Sequence, residues 1–171
     1  SMIRNLQDFA IASPLDTSAV MNATRKLMAM GFTAKSVIPT LQVLADTASV
    51  FTSDAGEMSD MLSHVILALG QMRASGKVMT QELRQLYNAG IPVFQILQEE
   101  LSLTADQVRN IGKQSIDSGI AVTALLKGLQ KRYSGAAKEF TSTIPGALAV
   151  IKDSIFVLYS ELAKTPQNNF K

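Results

Sequence analysis

The segment from Leu69 to Leu101 restricts the possible folds more than any other part of the chain, because it sets several helix boundaries in quick succession. It reads LGQMRASGKVMTQELRQLYNAGIPVFQILQEEL. An amphipathic helix stops at Gly76, a residue type that readily takes the left-handed angles closing a helix. Thr80 opens a short helix toward Asn88, since a threonine hydroxyl can accept from helix N–H groups that lack a partner. Asn88-Ala89-Gly90-Ile91-Pro92 then forms a hard turn. Gly90 supplies a left-handed stop, and Pro92 suits the first turn of a helix ending near Leu101, where its missing N–H is not needed. Helices this short are marginal in water alone and depend on packing. The segment therefore calls for several short helices with sharp changes of direction.

The rest of the chain has the same character, with helical periodicity almost throughout and nearly no strand signal. Residues 1–17 read as an irregular N-terminal arm broken at Ser13-Pro14. Asp16, Thr17 or Ser18 caps a helix to about Met30, with Val20, Leu27 and Met30 inward and Gly31 as its stop. Thr33 opens the next, with Val37, Leu41, Leu44, Ala48 and Phe51 at the 3.6-residue period. Pro39 fits either its first turn or a kink within it. A third helix runs from about Glu57 to Ala74. Its stripe is Met58, Met61 or Leu62, Val65, Leu69 and Met72, widened by Ile66 and Leu67. Gly70 within it lowers helix stability by about 1 kcal/mol relative to alanine, which close contact with a neighbouring backbone would explain.

Thr104 and Gln107 make a capping box for a helix to about Gln114. Ser118 caps another, with Val122, Leu125, Leu126, Leu129 and Tyr133 inward. A last long helix from about Pro145 to Ala163 carries the stripe Leu148, Ile151, Ile155, Leu158 or Tyr159, and Leu162. The expected architecture is all-α: a compact irregular, orthogonal bundle of about six to eight short helices with a longer C-terminal helix. The expected divisions are the arm at 1–17, a compact helical domain at 18–133, a linker and C-terminal helix at 134–164, and a frayed tail at 165–171. Ser1-Met2 has the look of an expression remnant, so the chain is expected to be a piece of a longer protein.

Composition removes several classes of chemistry. With no cysteine, disulfides, thiolate zinc sites and cysteine nucleophiles are excluded. The longest run without a charged residue, Gln85 to Gln98, is 14 residues and is broken by Gly90 and Pro92. A membrane-spanning helix needs about 20 apolar residues, so no stable membrane span is expected. Hydrophobic residues make up 47%, enough for a real core, while aromatics are only 6%. The core should be built from aliphatic side chains and methionine.

No constellation of reacting groups emerges. His64 is the only histidine, and Asp60 lies one turn before it, an ordinary helical pair. Asp54, Glu57 and Asp60 favour a helix N-terminus rather than a metal, and Glu99-Glu100 point in different directions. Gly76-Lys77 is not a phosphate loop: position 71 is glutamine where glycine is needed, and Val78 stands where serine or threonine must hold magnesium. No catalytic residue, metal or cofactor is therefore assigned. The net charge is only +2, but Lys113, Lys127, Lys131 and Arg132 cluster within 109–138. These four are the possible polyanion contacts. They support, as the alternative reading, a helical nucleic-acid-binding module with a basic 109–138 face, in which DNA contact is weak.

Four pieces of the chain carry a resemblance. They are Gly31-Phe32-Thr33-Ala34-Lys35-Ser36-Val37-Ile38-Pro39-Thr40-Leu41; Leu67-Ala68-Leu69-Gly70-Gln71-Met72 followed by Gly76-Lys77; Glu82-Leu83-Arg84-Gln85-Leu86 leading to Asn88-Ala89-Gly90-Ile91-Pro92; and Gly146-Ala147-Leu148 with Ile151-Lys152-Asp153. In order and spacing, from about Met21 to Glu161, they resemble the N-terminal helical domain of bacteriophage and prophage tail tape-measure proteins. Ser115 to Gly119 departs from the pattern, where the family often has a Gly-Lys turn. The resemblance implies a structural, non-enzymatic role in setting tail length and scaffolding the tail tube. It implies tail assembly chaperones, the tail tube protein and other tape-measure copies as partners. It also implies a location in the host cytoplasm during assembly and in the tail tube lumen of the virion. Gly70, Gln71, Gly76, Asn88, Gly90 and Pro92 match the motif and read as fold determinants. Exposed apolar residues on the last helix are the better candidates for partner contact.

Overall fold

Ten α-helices and one 3₁₀ turn account for the architecture of residues 2–164, the part described by this computed structural model. In chain order they are α1 (Met2–Ala12), α2 (Thr17–Ala29), α3 (Ala34–Phe51), α4 (Ala55–Ser75), α5 (Thr80–Asn88), α6 (Val93–Glu100) and α7 (Ala105–Arg109). The 3₁₀ turn Ile111–Lys113 follows, then α8 (Ser118–Tyr133), α9 (Ala136–Thr141) and α10 (Ile144–Lys164). The all-α expectation holds, with no strand among the described residues. One isolated antiparallel bridge, Lys77 with Asp117, ties the exit of α4 to the entry of α8.

Helix α3 is the hub, packing against α2, α4, α8 and α9. Its face of Val37, Leu41, Leu44, Ala45 and Ala48 is fully buried, as the period requires. Pro39 lies inside the helix, beyond the first turn, on its exposed side. Solvent can therefore reach the carbonyl one turn back that the proline leaves without a donor. Helix α4 supplies the other half of the core through Met58, Leu62, Val65, Ile66, Leu69 and Met72. Leu67 corrects the expected stripe: it is exposed on the opposite side. Asp54 caps α4 by accepting from Glu57 N at 2.9 Å, and Gly76 closes it at φ +71°.

The N-terminal arm is a correction. Residues 2–12 form helix α1, which buries Leu6, Phe9 and Ala10 and packs on α2, α3 and α10. Those three apolar residues share one helical face, and their burial stabilises a segment too short to be helical alone. A second correction falls in the expected linker, where α9 forms and packs on α3. Its start is held from far away. Asp46 on α3, only 3% exposed, accepts from Ala137 N at 2.9 Å and from Gln42 Nε2 at 3.2 Å. A carboxylate supplied through space thus serves as the N-terminal cap of α9. The expected frayed tail at 165–171 lies outside the described residues.

Boundary details follow capping chemistry. Asp16, not Thr17 or Ser18, caps α2, accepting from Ala19 N at 2.7 Å. The Thr104–Gln107 capping box is present. Asp117, not Ser118, caps α8 by accepting from Ile120 N at 3.0 Å. Thr80 is the first residue of α5 rather than its cap, and Pro92 stands at the cap position just before α6.

Candidate functional site

The motif glycines act in different ways. Gly90 turns the chain at φ +97° after α5, and Phe51 of α3 closes over it so that a Cβ would lie 3.1 Å from Phe51 Cδ1. Gly76 needs its left-handed angle and has open space around it. Gly70 meets a side chain, not a backbone: a Cβ there would lie 2.7 Å from Met30 Cε. Gln71 and Asn88 are exposed. The closest approach at a helical glycine is one the sequence did not single out. At Gly128 on α8, a Cβ would overlap Ile96 Cγ2 of α6 and sit 3.4 Å from Glu100 Cγ.

Helices α6 and α8 also bring charges together. Lys127 Nζ lies 3.3 Å from Glu100 Oε2, Lys131 bonds Glu100 Oε1, and Arg132 Nη2 donates to Glu99 Oε2 at 2.7 Å. Hydrogen bonding from Arg132, helped by Gln95, holds the Glu99 carboxyl below its ordinary range. Lys131, with Lys127 behind it, does the same for Glu100. Three of the four residues that suggested a polyanion face are therefore ion-paired within the fold. Lys113 stands apart, exposed beside a shallow hollow of about 300 Å³ shared with Thr80, Arg109 and Asn110, and Arg109 is itself paired with Asp106. Against the other side of α8, Tyr133 packs edge-on to Phe51 at 5.5 Å, and burial raises its hydroxyl pKa.

His64 and Asp60 are both exposed on the outer side of α4. Among the described residues no three potential ligands gather where a metal would sit, and no helix is long and apolar enough to cross a membrane. A second shallow hollow, about 460 Å³, lies between α6 and α8 against Glu100, Ile120 and Lys127.

The feature best suited to contact another molecule is on α10. Leu148, Ile151, Ile155, Phe156 and Leu158 are each more than half exposed, with values from 54% to 62%. Four of them continue the stripe read from the sequence; the side chains of Tyr159 and Leu162 lie outside the described residues. Large apolar side chains grouped on one exposed helix mark an interaction surface more often than they occur by chance.

Comparison with known proteins points to a single family. The family described as tape measure protein matches residues 1–164. The Mu-like prophage FluMu protein gp42 of Haemophilus influenzae is 26% identical over 151 residues. That alignment covers 87% of this chain but only 23% of the relative's length. No solved structure matches.

Proposed function

The chain belongs to the tape measure protein family, a family of structural phage proteins, and from that premise we propose that it is a folded scaffold segment of a phage or prophage tail. In this reading it helps set tail length and organise the tail tube, acting by shape and surface rather than by chemistry. Its partners are assembly chaperones, the tube protein and other copies of the parent chain, met in the host cytoplasm and then in the tube lumen. The observation that carries the reading is the family match across residues 1–164, which covers all ten described helices. The apolar outer side of α10 supports it, because a segment built into a larger assembly needs a face to present.

The test is an in-frame deletion of this segment from the parent gene, with tails counted and measured by electron microscopy. The reading expects tails that are missing, fewer or altered in length. Tails of normal number and unchanged length would overturn it.

A further inference from the structure

Helix α10 is docked with its polarity reversed. Its described large apolar residues, Leu148, Ile151, Ile155, Phe156 and Leu158, point away from the bundle, while the described side chains turned inward are small or polar: Ala147, Asp153, Val157 and Ser160. The deepest of them is Asp153, 3% exposed. Its Oδ1 accepts from Thr17 N at 2.7 Å and from Thr17 Oγ1 at 2.5 Å. Thr17 is the first residue of α2, so the carboxylate sits at that helix's positive end. The other oxygen, Oδ2, is buried without a hydrogen-bond partner among the described residues.

We infer that α10 is a detachable strap, packed against α1 and the α4 surface, fastened to α2 by the Asp153–Thr17 clasp and able to swing out about Ser142-Thr143 while α2–α8 stay folded. Two features make release inexpensive. Undocking withdraws little apolar surface from neighbours among the described side chains of α10, since Leu148, Ile151, Ile155, Phe156 and Leu158 are already outside, and hydrophobic stabilisation follows the apolar area removed from water. It also lets water reach an oxygen whose burial without a partner is unfavourable. The clasp, by contrast, is directional and breaks as a unit, so the strap has a docked and a released position rather than a continuum. Release frees the second side of α10 and uncovers the part of α1 beneath it, enlarging the surface a partner helix can meet. The inference stands apart from the tail reading and needs only the isolated chain.

Hydrogen–deuterium exchange on the 171-residue chain tests it, because local openings leave the remaining helices protected. In the unmodified protein, α10 amides should exchange at least tenfold faster than those of α3 and α4, through an opening that does not expose α3 or α4. Asp153→Ala should accelerate α10 a further tenfold or more and leave α3, α4 and α8 unchanged. Thr17→Val, which keeps the N–H bond and removes the hydroxyl, should fall between. If α10 opens only together with α3 and α4 in the unmodified protein, the strap is an integral part of the core and the inference fails. Unchanged α10 exchange in both variants, or a loss of protection spread over α3, α4 and α8, overturns it equally.

Discussion

Substituting Gly128 by alanine tests the packing of α6 on α8. A methyl group there points straight into Ile96 Cγ2, nearer than the 2.7 Å that Gly70 leaves for Met30, with Ile96 Cβ and Glu100 Cγ both at 3.4 Å. Carbon atoms in contact settle at about 3.5–4.0 Å, so one helix must move by the best part of an ångström or Ile96 must leave its rotamer. Ile96 is fully buried and β-branched, stiff at χ1. Overpacking of this kind costs about 1–3 kcal/mol. Replacing a mid-helix glycine returns about 1 kcal/mol. An overlap this deep against a stiff neighbour falls in the upper half of that range, about 2–3 kcal/mol, so the net is a loss of about 1–2 kcal/mol, which for a chain of this size lowers Tm by about 2–8 °C.

Gly70→Ala is the matched control. It gains the same helix propensity, but the obstacle is the far end of a flexible methionine, so stability should be unchanged within about 0.5 kcal/mol or increase. Thermal melts of both variants, followed by circular dichroism, decide the matter. A double variant sharpens it: with Ile96→Ala present, Gly128→Ala should lose most of its penalty, because contacting residues are not additive. A Gly128→Ala protein as stable as the unmodified chain would refute the assignment of α6 and α8 as a close-packed pair.

Three further expectations concern individual contacts. Asp46→Ala should cost about 0.5–2 kcal/mol, the usual range for a helix cap, and should speed amide exchange in α9, with Asp46→Asn milder because it keeps an acceptor. Gly90→Ala should lower the urea midpoint, since φ +97° strains any side chain and Phe51 crowds the new Cβ; the strain alone is about 1–3 kcal/mol. Glu99 and Glu100 have carboxyls held below their ordinary range by Arg132 and Lys131. Their contribution is thus fully present above the unfolded carboxylate value of about 4.3 and is lost as pH falls through the lowered folded values. Urea midpoints measured from pH 6 to pH 3 should fall less steeply in a Glu99→Gln/Glu100→Gln double variant, and an identical slope would remove the ion pairs as its source.

What the sequence disclosed and what it hid divide along a physical line. Period and punctuation are local, so the stripes of α3 and α4, the stops at Gly31, Gly76 and Gly90 and the Thr104–Gln107 box were all legible. The hidden features depend on partners distant in sequence. Asp46 reaches Ala137 across 91 residues and Asp153 reaches Thr17 across 136; in the sequence each is one more surface-type carboxylate. The basic run looked like an open face because nothing local says that Glu99 and Glu100 come to rest beside it. Gly70 drew attention as a glycine inside a strong stripe, while Gly128, the one facing a stiff neighbour, has the same local appearance. Residues 2–12 lack capping signals, and their helix is settled by burial against α2 and α3, a tertiary effect that overrides weak local preference.

The fold also bears on how such a segment could contribute to a measured length. Drawn out as one continuous helix at 1.5 Å per residue, residues 2–164 would span roughly 240 Å. Folded as a bundle, a chain of this size has a radius of gyration near 15 Å and measures about 40 Å across. Under the tail reading, a ruler gains six times less from this segment folded than extended, so the bundle is better placed to begin or anchor a template than to be its graduated part. Tail lengths in two deletion strains separate the cases. Removing this segment should shorten any tails that still assemble by no more than about 40 Å, the width of the bundle. Removing an equal number of residues from a continuous helical stretch of the parent chain should shorten them by roughly 240 Å. Equal shortening in both strains would mean that the bundle unravels inside the tube, and that the packing of α3 against α4 belongs to the protein before assembly rather than to the finished tail.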